Sequence, residues 1–227
     1  MRYPHCTSEF CPECMLHLPW CRNTCYRCGL PIEALDDSRT CARCREKLPD
    51  FDRLCAPFFY KPPISGMIMQ LKFGRSVRLA KILHKLFNHY FLTAFRETLA
   101  SNNNVNVPQM IIPMPLYGKR LRHRGYNQAY ALGRFFAKRH HNNPLYVPIN
   151  DRLAWRTKAT EPQTTLDKGA RQKNIQDAFA VSPDIAQYQH VVILDDVVTT
   201  GATANALARQ IKQAGVDQVD LWSICRA

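Results

Sequence analysis

Val191-Val192-Ile193-Leu194-Asp195-Asp196-Val197-Val198-Thr199-Thr200-Gly201-Ala202-Thr203 is the stretch whose reading decides the fold. Val191–Leu194 are all apolar and mostly β-branched, which predicts a strand buried on both faces. Two acids follow at once, where a strand of an α/β sheet opens into its ligand crevice. Thr199–Thr203 are small residues whose backbone N–H groups and hydroxyls can wrap an anion. From Ala202 the chain turns Ala-rich, with Leu207, Ala208 and Ile211 on one face of a predicted helix. An anion in the loop therefore lies at a helix N-terminus, favoured by free N–H groups and the helix dipole. Carboxylates repel phosphate, so the acid pair beside this cradle points to a ligand with phosphate at one end and hydroxyls nearby. A ribose 5-phosphate fits, its 2- and 3-hydroxyls donating to the acids. An ordinary strand–turn–helix with a chance acid pair is the plainer alternative, and the agreement of so many positions in order argues against it.

A chain of 227 residues has room for one medium α/β domain and a small appendage. Lys and Arg number 31 against 18 Asp and Glu, a net charge of +13 that favours polyanionic partners, either phosphorylated small molecules or nucleic acid. Met1–Phe10 lacks the apolar core of a signal peptide. The most apolar predicted helix, around Leu79–Phe95, is broken by Lys81, His84, Lys85, Asn88 and His89, so no membrane insertion is expected. A reducing cytoplasm is the expected compartment, and in it the ten cysteines are not expected to form disulfides; the eight within Cys6–Cys44 are read as thiolate ligands.

Eight of those cysteines fall between Cys6 and Cys44. Cys25-x-x-Cys28 and Cys41-x-x-Cys44, joined by residues 29–40 with a polar Asp36-Asp37-Ser38 turn, predict a four-sulfur zinc site that supplies folding energy to a short segment. Gly29 suits the tight turn that aims backbone N–H groups at sulfur. A dithiol redox pair is the alternative, and three C-x-x-C pairs without a thioredoxin-like βαβ context argue against it. Cys6, Cys11, Cys14 and Cys21 offer a second set of four at irregular spacing, either a second zinc site or free thiols. His5 and His17 stand near enough in sequence to substitute as ligands.

The expected division is a Cys-rich module over residues 1–50 and an α/β domain over 51–227. Within the latter, Leu54–Tyr60 reads as a strand ended by Pro62-Pro63, and Ile64–Phe73 as a helix. Leu79, Ile82, Leu83, Leu86, Phe87, Tyr90 and Phe91 form the core face of a second helix, before a polar break at Ser101–Asn106. Gln109–Met114 reads as a strand leading to a loop with Lys119, Arg120, Arg122 and Arg124; Tyr126-Asn127-Gln128 then opens a helix to about Lys138. That charge run reads as a solvated surface or as nucleic-acid contact. Asp151–Phe179 is polar, without strand alternation until Ala178–Val181. Gly215 caps the helix that follows the opening motif, and Asp217–Cys225 alternates as a final strand.

Residues 191–203 resemble the phosphoribosyl-pyrophosphate (PRPP) signature of type I phosphoribosyltransferases. The order of motifs extends the likeness along nearly the whole chain. A cysteine-pair module is followed by Leu71-Lys72-Phe73, then Arg124-Gly125-Tyr126-Asn127-Gln128, then Arg171-x-x-Asn174 with Ala178-Phe179, then the signature. In this order the chain is similar to the ComF/GntX family, linked to natural transformation and to the use of external DNA. Cys6 and Cys21 stand outside the regular pairs of many relatives, which fits a start upstream of Met1. The resemblance implies a type I phosphoribosyltransferase-like parallel sheet flanked by helices, with an N-terminal zinc-binding module. It implies that Asp195 and Asp196 hold the ribose hydroxyls, and that Thr199, Thr200, Gly201, Ala202 and Thr203 hold the 5-phosphate. Lys119, Arg120, Arg122 and Arg124 would lie near the pyrophosphate, with Mg²⁺ bridging the ligand's oxygens. It also implies that the 151–179 segment is a hood over the diphosphate, a solvent-exposed linker being the alternative.

Two functions follow. One is an enzyme transferring phosphoribose from PRPP to a nitrogen acceptor that nothing in the chain identifies. The other is a PRPP-sensing module without turnover, whose basic surface meets single-stranded DNA or a DNA-processing competence protein. A redox-active Cys protein with an accidental nucleotide motif is the third and blandest reading.

Overall fold

A computed structural model describes residues 10–32, 39–74, 76–101, 107–138, 146–158 and 178–227, the side chains of residues 77 and 94–101 apart. Cys6 and His5, and residues 159–177 with Arg171 and Asn174, lie outside the described residues.

The opening motif forms the central strand of the sheet. β6 (His190–Val198) pairs in parallel with β3 (Met110–Pro113) on one side and β7 (Gln218–Arg226) on the other. Two short strands, β1 (Arg53–Cys55) and β2 (Phe58–Phe59), pair in parallel with the far edge of β7, and Ile149 bridges in parallel to Ile111 beside β3. The expected strand over 54–60 is split because Pro57 has no N–H for the ladder. β7 does not alternate between faces: all its residues after Gln218 are buried, since helices cover both sides of a parallel sheet.

Alternation in β6 divides the core. Val191 and Ile193 meet Leu207, Ala208 and Ile211 of α7 (Ala202–Gln213) on one face. Val192 and Leu194 face the other layer, built from α3 (Ile64–Phe73), α4 (Val77–Ser101) and α6 (Gln128–Phe136). Trp222 is fully buried there, its ring 4.9 Å from Phe91 and 5.3 Å from Phe136. Gly133 lets α6 settle on the sheet, for a Cβ there would stand 2.3 Å from Ile149 Cδ1 and 3.1 Å from Leu194 Cδ2.

The chain leaves β3 toward Ile149 on one side, through α5 (Gly118–Arg124) and α6, and leaves β6 toward β7 on the other, through α7. The switch point, where a parallel sheet opens its ligand crevice, therefore lies between the C-terminal ends of β3 and β6. The acid pair and the Thr-Thr-Gly loop stand at that edge. The remaining strands, β4 (Ala154–Arg156) and β5 (Phe179–Val181), form an antiparallel pair at the two ends of the polar 151–179 segment. β4 has no periodic signal in the sequence; its partner creates it.

Among the described residues no helix is long and apolar enough to cross a membrane.

Candidate functional site

Strand β6 runs on through the acid pair, with Asp195 opposite Ser223 and Val198 opposite Arg226 in the β7 register. A strand alternates its side chains, so Asp195 and Asp196 leave it on opposite faces. Asp195 is half-buried, and its Oδ1 accepts from the Asp196 backbone N–H at 2.8 Å. Asp196 is 7% exposed, and its Oδ2 lies 3.2 Å from Lys72 Nζ at the end of α3. The Tyr126 hydroxyl donates to the Leu71 carbonyl, fixing this end of α3 against the start of α6. Arg124 stacks 5.5 Å over the Phe73 ring and donates to Gln128 Oε1. The Leu71-Lys72-Phe73 and Arg124–Gln128 motifs, far apart in sequence, thus converge on the acid pair. Lys72 is the residue that sequence reasoning missed as part of the site; its only signal was its place in the family motif.

Burial, with the Asp196 carboxylate beside it, pushes the Asp195 carboxyl up to about 8. A native value raised above the unfolded one means that the folded state keeps a proton which the unfolded chain has released. Its contribution to stability is present in full below the unfolded value and is lost as pH rises through about 8. Urea midpoints of wild type and Asp195→Asn measured from about pH 5 to about pH 9 should show the wild type losing ground as pH rises, with no further loss at the top of the range. A difference that stays flat across the series would contradict this.

The loop after β6 follows the expected pattern. Thr199 and Thr200 are exposed, Gly201 takes φ 77°, and the Ala202 N–H donates to Thr200 Oγ1 at 3.3 Å before α7 begins. Gly201 is needed here because an L side chain resists that left-handed backbone. Asp50 clasps the first turns of α7, accepting from Asn205 Nδ2 at 2.5 Å and Arg209 Nε at 3.1 Å.

The basic run is a helix, not a loop. Residues 118–124 contain no β-branched or proline residue, and Gly125 at φ 79° closes them as the left-handed cap. Lys119, Arg120 and Arg122 are exposed and Arg124 half-buried. Burial, with repulsion from Arg120 set against attraction to Asp195, holds the Arg156 guanidinium of β4 below its usual range.

Cys25, Cys28, Cys41 and Cys44 bring their sulfurs within 4.8 Å of one another. Cys28 Sγ and Cys41 Sγ are 3.7 Å apart, close to the edge of about 3.8 Å for a tetrahedron with metal–sulfur bonds of about 2.3 Å. Gly29 turns at φ 69°, its N–H donates to the Cys25 carbonyl, and the Cys41 N–H points at Cys25 Sγ at 3.3 Å. Burial raises the Cys25 thiol, but backbone N–H groups of Cys41, Cys28 and Arg27 outweigh it and bring it down to about 7. The donor set, spacing and N–H···S contacts fit a metal ion. Cys11, Cys14 and Cys21 do not join a comparable cluster among the described residues. Cys11 and Cys14 are exposed, with the Cys14 N–H on Cys11 Sγ at 3.4 Å. Cys21 is buried, its N–H bonded to the Pro57 carbonyl, and burial pushes its thiol up to about 12.

A parallel α/β sheet with an acid pair and a small-residue loop at its switch point, preceded by a module able to hold a metal, defines the class of protein. No protein-family model matches the chain. Over 205 residues it is 34% identical to the DNA utilization protein YhgH of Escherichia coli strain K12, covering 90% of this chain and 85% of that protein. It is 30% identical over 205 residues to Competence protein F of Haemophilus influenzae, covering 89% of this chain and 84% of the relative. The chain therefore belongs to the ComF/GntX family of competence and DNA-utilisation proteins. A purine phosphoribosyltransferase from Pyrococcus horikoshii Ot3 overlaps with a TM-score of 0.30 at 17% identity, covering 60% of this chain and 79% of that one.

Proposed function

We propose that this chain binds Mg²⁺·PRPP at the C-terminal ends of β3 and β6 and acts in the uptake and use of external DNA. The observation that carries the reading is the acid pair of β6 running directly into the Thr199–Thr203 loop and α7. Asp195 and Asp196 accept from the ribose 2- and 3-hydroxyls, while the loop N–H groups and the α7 dipole hold the 5-phosphate. Lys119, Arg120, Arg122 and Arg124 neutralise the pyrophosphate, and Lys72, 3.2 Å from Asp196 Oδ2, fixes that carboxylate in place. Mg²⁺, when bound, would supply charge neutralisation for the pyrophosphate, with the Asp195 and Asp196 carboxylates as the oxygen ligands this chain offers it. Departure of pyrophosphate leaves positive charge on the sugar; oriented hydroxyls and a basic helix beside the leaving group lower that barrier, with a nitrogen nucleophile as acceptor. The Cys25–Cys28–Cys41–Cys44 cluster holds structural Zn²⁺ in a reducing cytoplasm. Calorimetric titration of Mg²⁺·PRPP into wild type and Asp195→Asn/Asp196→Asn tests the ligand: wild-type binding that the variant loses supports it, and no heat from either protein refutes it.

A second reading, binding of single-stranded DNA, is favoured by the exposed basic side chains of α5 and the +13 charge. It requires affinity that falls steeply with salt and weakens in Lys119→Ala/Arg120→Ala/Arg122→Ala. Salt-insensitive binding removes it.

A further inference from the structure

Arg226, at the last position of β7, is 4% exposed, and none of its hydrogen bonds goes to a side-chain carboxylate. Its Nε donates to the Cys28 carbonyl at 2.9 Å, and its Nη1 to the Val198 carbonyl at 3.2 Å, to the Thr199 carbonyl and to the main-chain oxygen of Ala227. One guanidinium thus grips the Cys25–Cys28 knuckle with one edge and the start of the Thr199–Thr203 loop with the other. Around it the two parts stand apart: a cleft of about 220 Å³ lies between Cys28, Arg43 and Cys44 on one side and Thr200 and Gly201 on the other. The knuckle is also moulded to the arginine stem, since a Cβ on Gly29 would lie 3.5 Å from Arg226 Cδ and 2.7 Å from Leu54 Cδ2. A buried cation needs compensating charge. Four thiolates around a divalent metal carry a net negative charge, and this cluster borders the guanidinium.

We propose that Arg226 is a positioning residue that makes the order of the phosphate loop depend on metal in the Cys module. With the metal bound, the Cys28 carbonyl is held in place, so Arg226, anchored on it, keeps the Val198 and Thr199 carbonyls turned away from the crevice. The loop N–H groups then face the ligand. Without the metal the knuckle loosens, the arginine loses its anchor on the Cys28 carbonyl, and the loop frays. The cysteine module is thereby a control on the ligand site and not only an appendage. This inference rests on reading residues 199–203 as the phosphate cradle.

Hydrogen–deuterium exchange on the full metal-loaded chain tests it, read at the amides of Ala202, Asn205 and Ala227, each hydrogen-bonded within or against the loop. Stripping the metal with a chelator should speed exchange there at least about tenfold, while the β6 amides of residues 190–194 keep their protection. Arg226→Met with unchanged metal content should start with a fast loop that chelation alters no further. Arg226→Lys, which keeps the charge but cannot span both sets of carbonyls, should fall between. A wild-type loop unmoved by chelation overturns the proposal, as does an Arg226→Met loop as protected as wild type. Should Arg226→Met fail to fold, the chelation series on wild type and Arg226→Lys decides alone. None of these measurements uses PRPP, so failure of the ligand reading appears separately, in the calorimetry.

Discussion

Asp195→Asn/Asp196→Asn is expected to weaken Mg²⁺·PRPP binding by at least about a hundredfold, because two hydrogen bonds to charged acceptors are lost at about 1.5–3 kcal/mol each. The single variants should separate by mechanism. Asp196 is buried and paired with Lys72 at 3.2 Å, so Asp196→Asn leaves a largely buried ammonium without its carboxylate. That variant should lose about 1–3 kcal/mol of stability in urea titrations as well as ligand affinity, the lower end reflecting the partial exposure of Lys72. Asp195 is pushed up to about 8 by burial and by its neighbour, so near neutral pH the unliganded protein already carries a proton there. Asp195→Asn should therefore fold normally near neutral pH, and its defect in ligand affinity should grow as pH rises above the native value and the wild-type carboxylate becomes fully available. A double variant that binds Mg²⁺·PRPP like wild type would place the ligand elsewhere or abolish the reading.

The division between what the sequence discloses and what it hides follows from the range of the forces involved. Strand β6, the Thr199–Thr203 loop and α7 are legible because apolar run, acid pair, small residues and Ala-rich helix are local signals in one continuous stretch. The four-sulfur cluster is legible for the same reason, two C-x-x-C pairs at short spacing. Lys72 is hidden: it comes to Asp196 only through the packing of α3, which the Tyr126–Leu71 hydrogen bond fixes. Arg226 is more deeply hidden, since an arginine that follows an apolar strand reads as its solvent-exposed end, whereas here it is buried against carbonyls from two other segments. The basic run misleads in the opposite direction. Its charge spacing is visible, but the helix depends on Gly125 taking a left-handed conformation that no periodicity announces. The polar segment's β4 is visible only with β5 beside it. Local pattern therefore recovers the sheet, the acids and the sulfurs, and long-range charge pairing supplies what binds them into one site.

Metal content is expected to discriminate sharply between the two cysteine sets. Cys25 and Cys44 are buried, Cys28 and Cys41 are half-buried, and all four sulfurs already converge, so Cys44→Ser should reduce bound zinc from about one equivalent per chain to nearly none. The loss of folding energy is large, since metal contributes about 10–16 kcal/mol to free-standing modules of this kind. Here the cost to the whole chain should be smaller, because the module also rests on the sheet. Arg27 donates to the Asp52 carbonyl at 2.6 Å, and Leu54 receives the Gly29 turn. The expected result is a protein that keeps its α/β domain, loses protection within residues 21–32 and 39–48 and melts at lower temperature. Cys11→Ser/Cys14→Ser, by contrast, should leave zinc content and melting unchanged, for those thiols are exposed and Cys21 is buried away from them, its thiol pushed up to about 12 by that burial. Two equivalents in wild type falling to one in Cys11→Ser/Cys14→Ser would instead establish a second metal centre, completed by Cys6, and would make Cys21's burial a consequence of that centre rather than of packing.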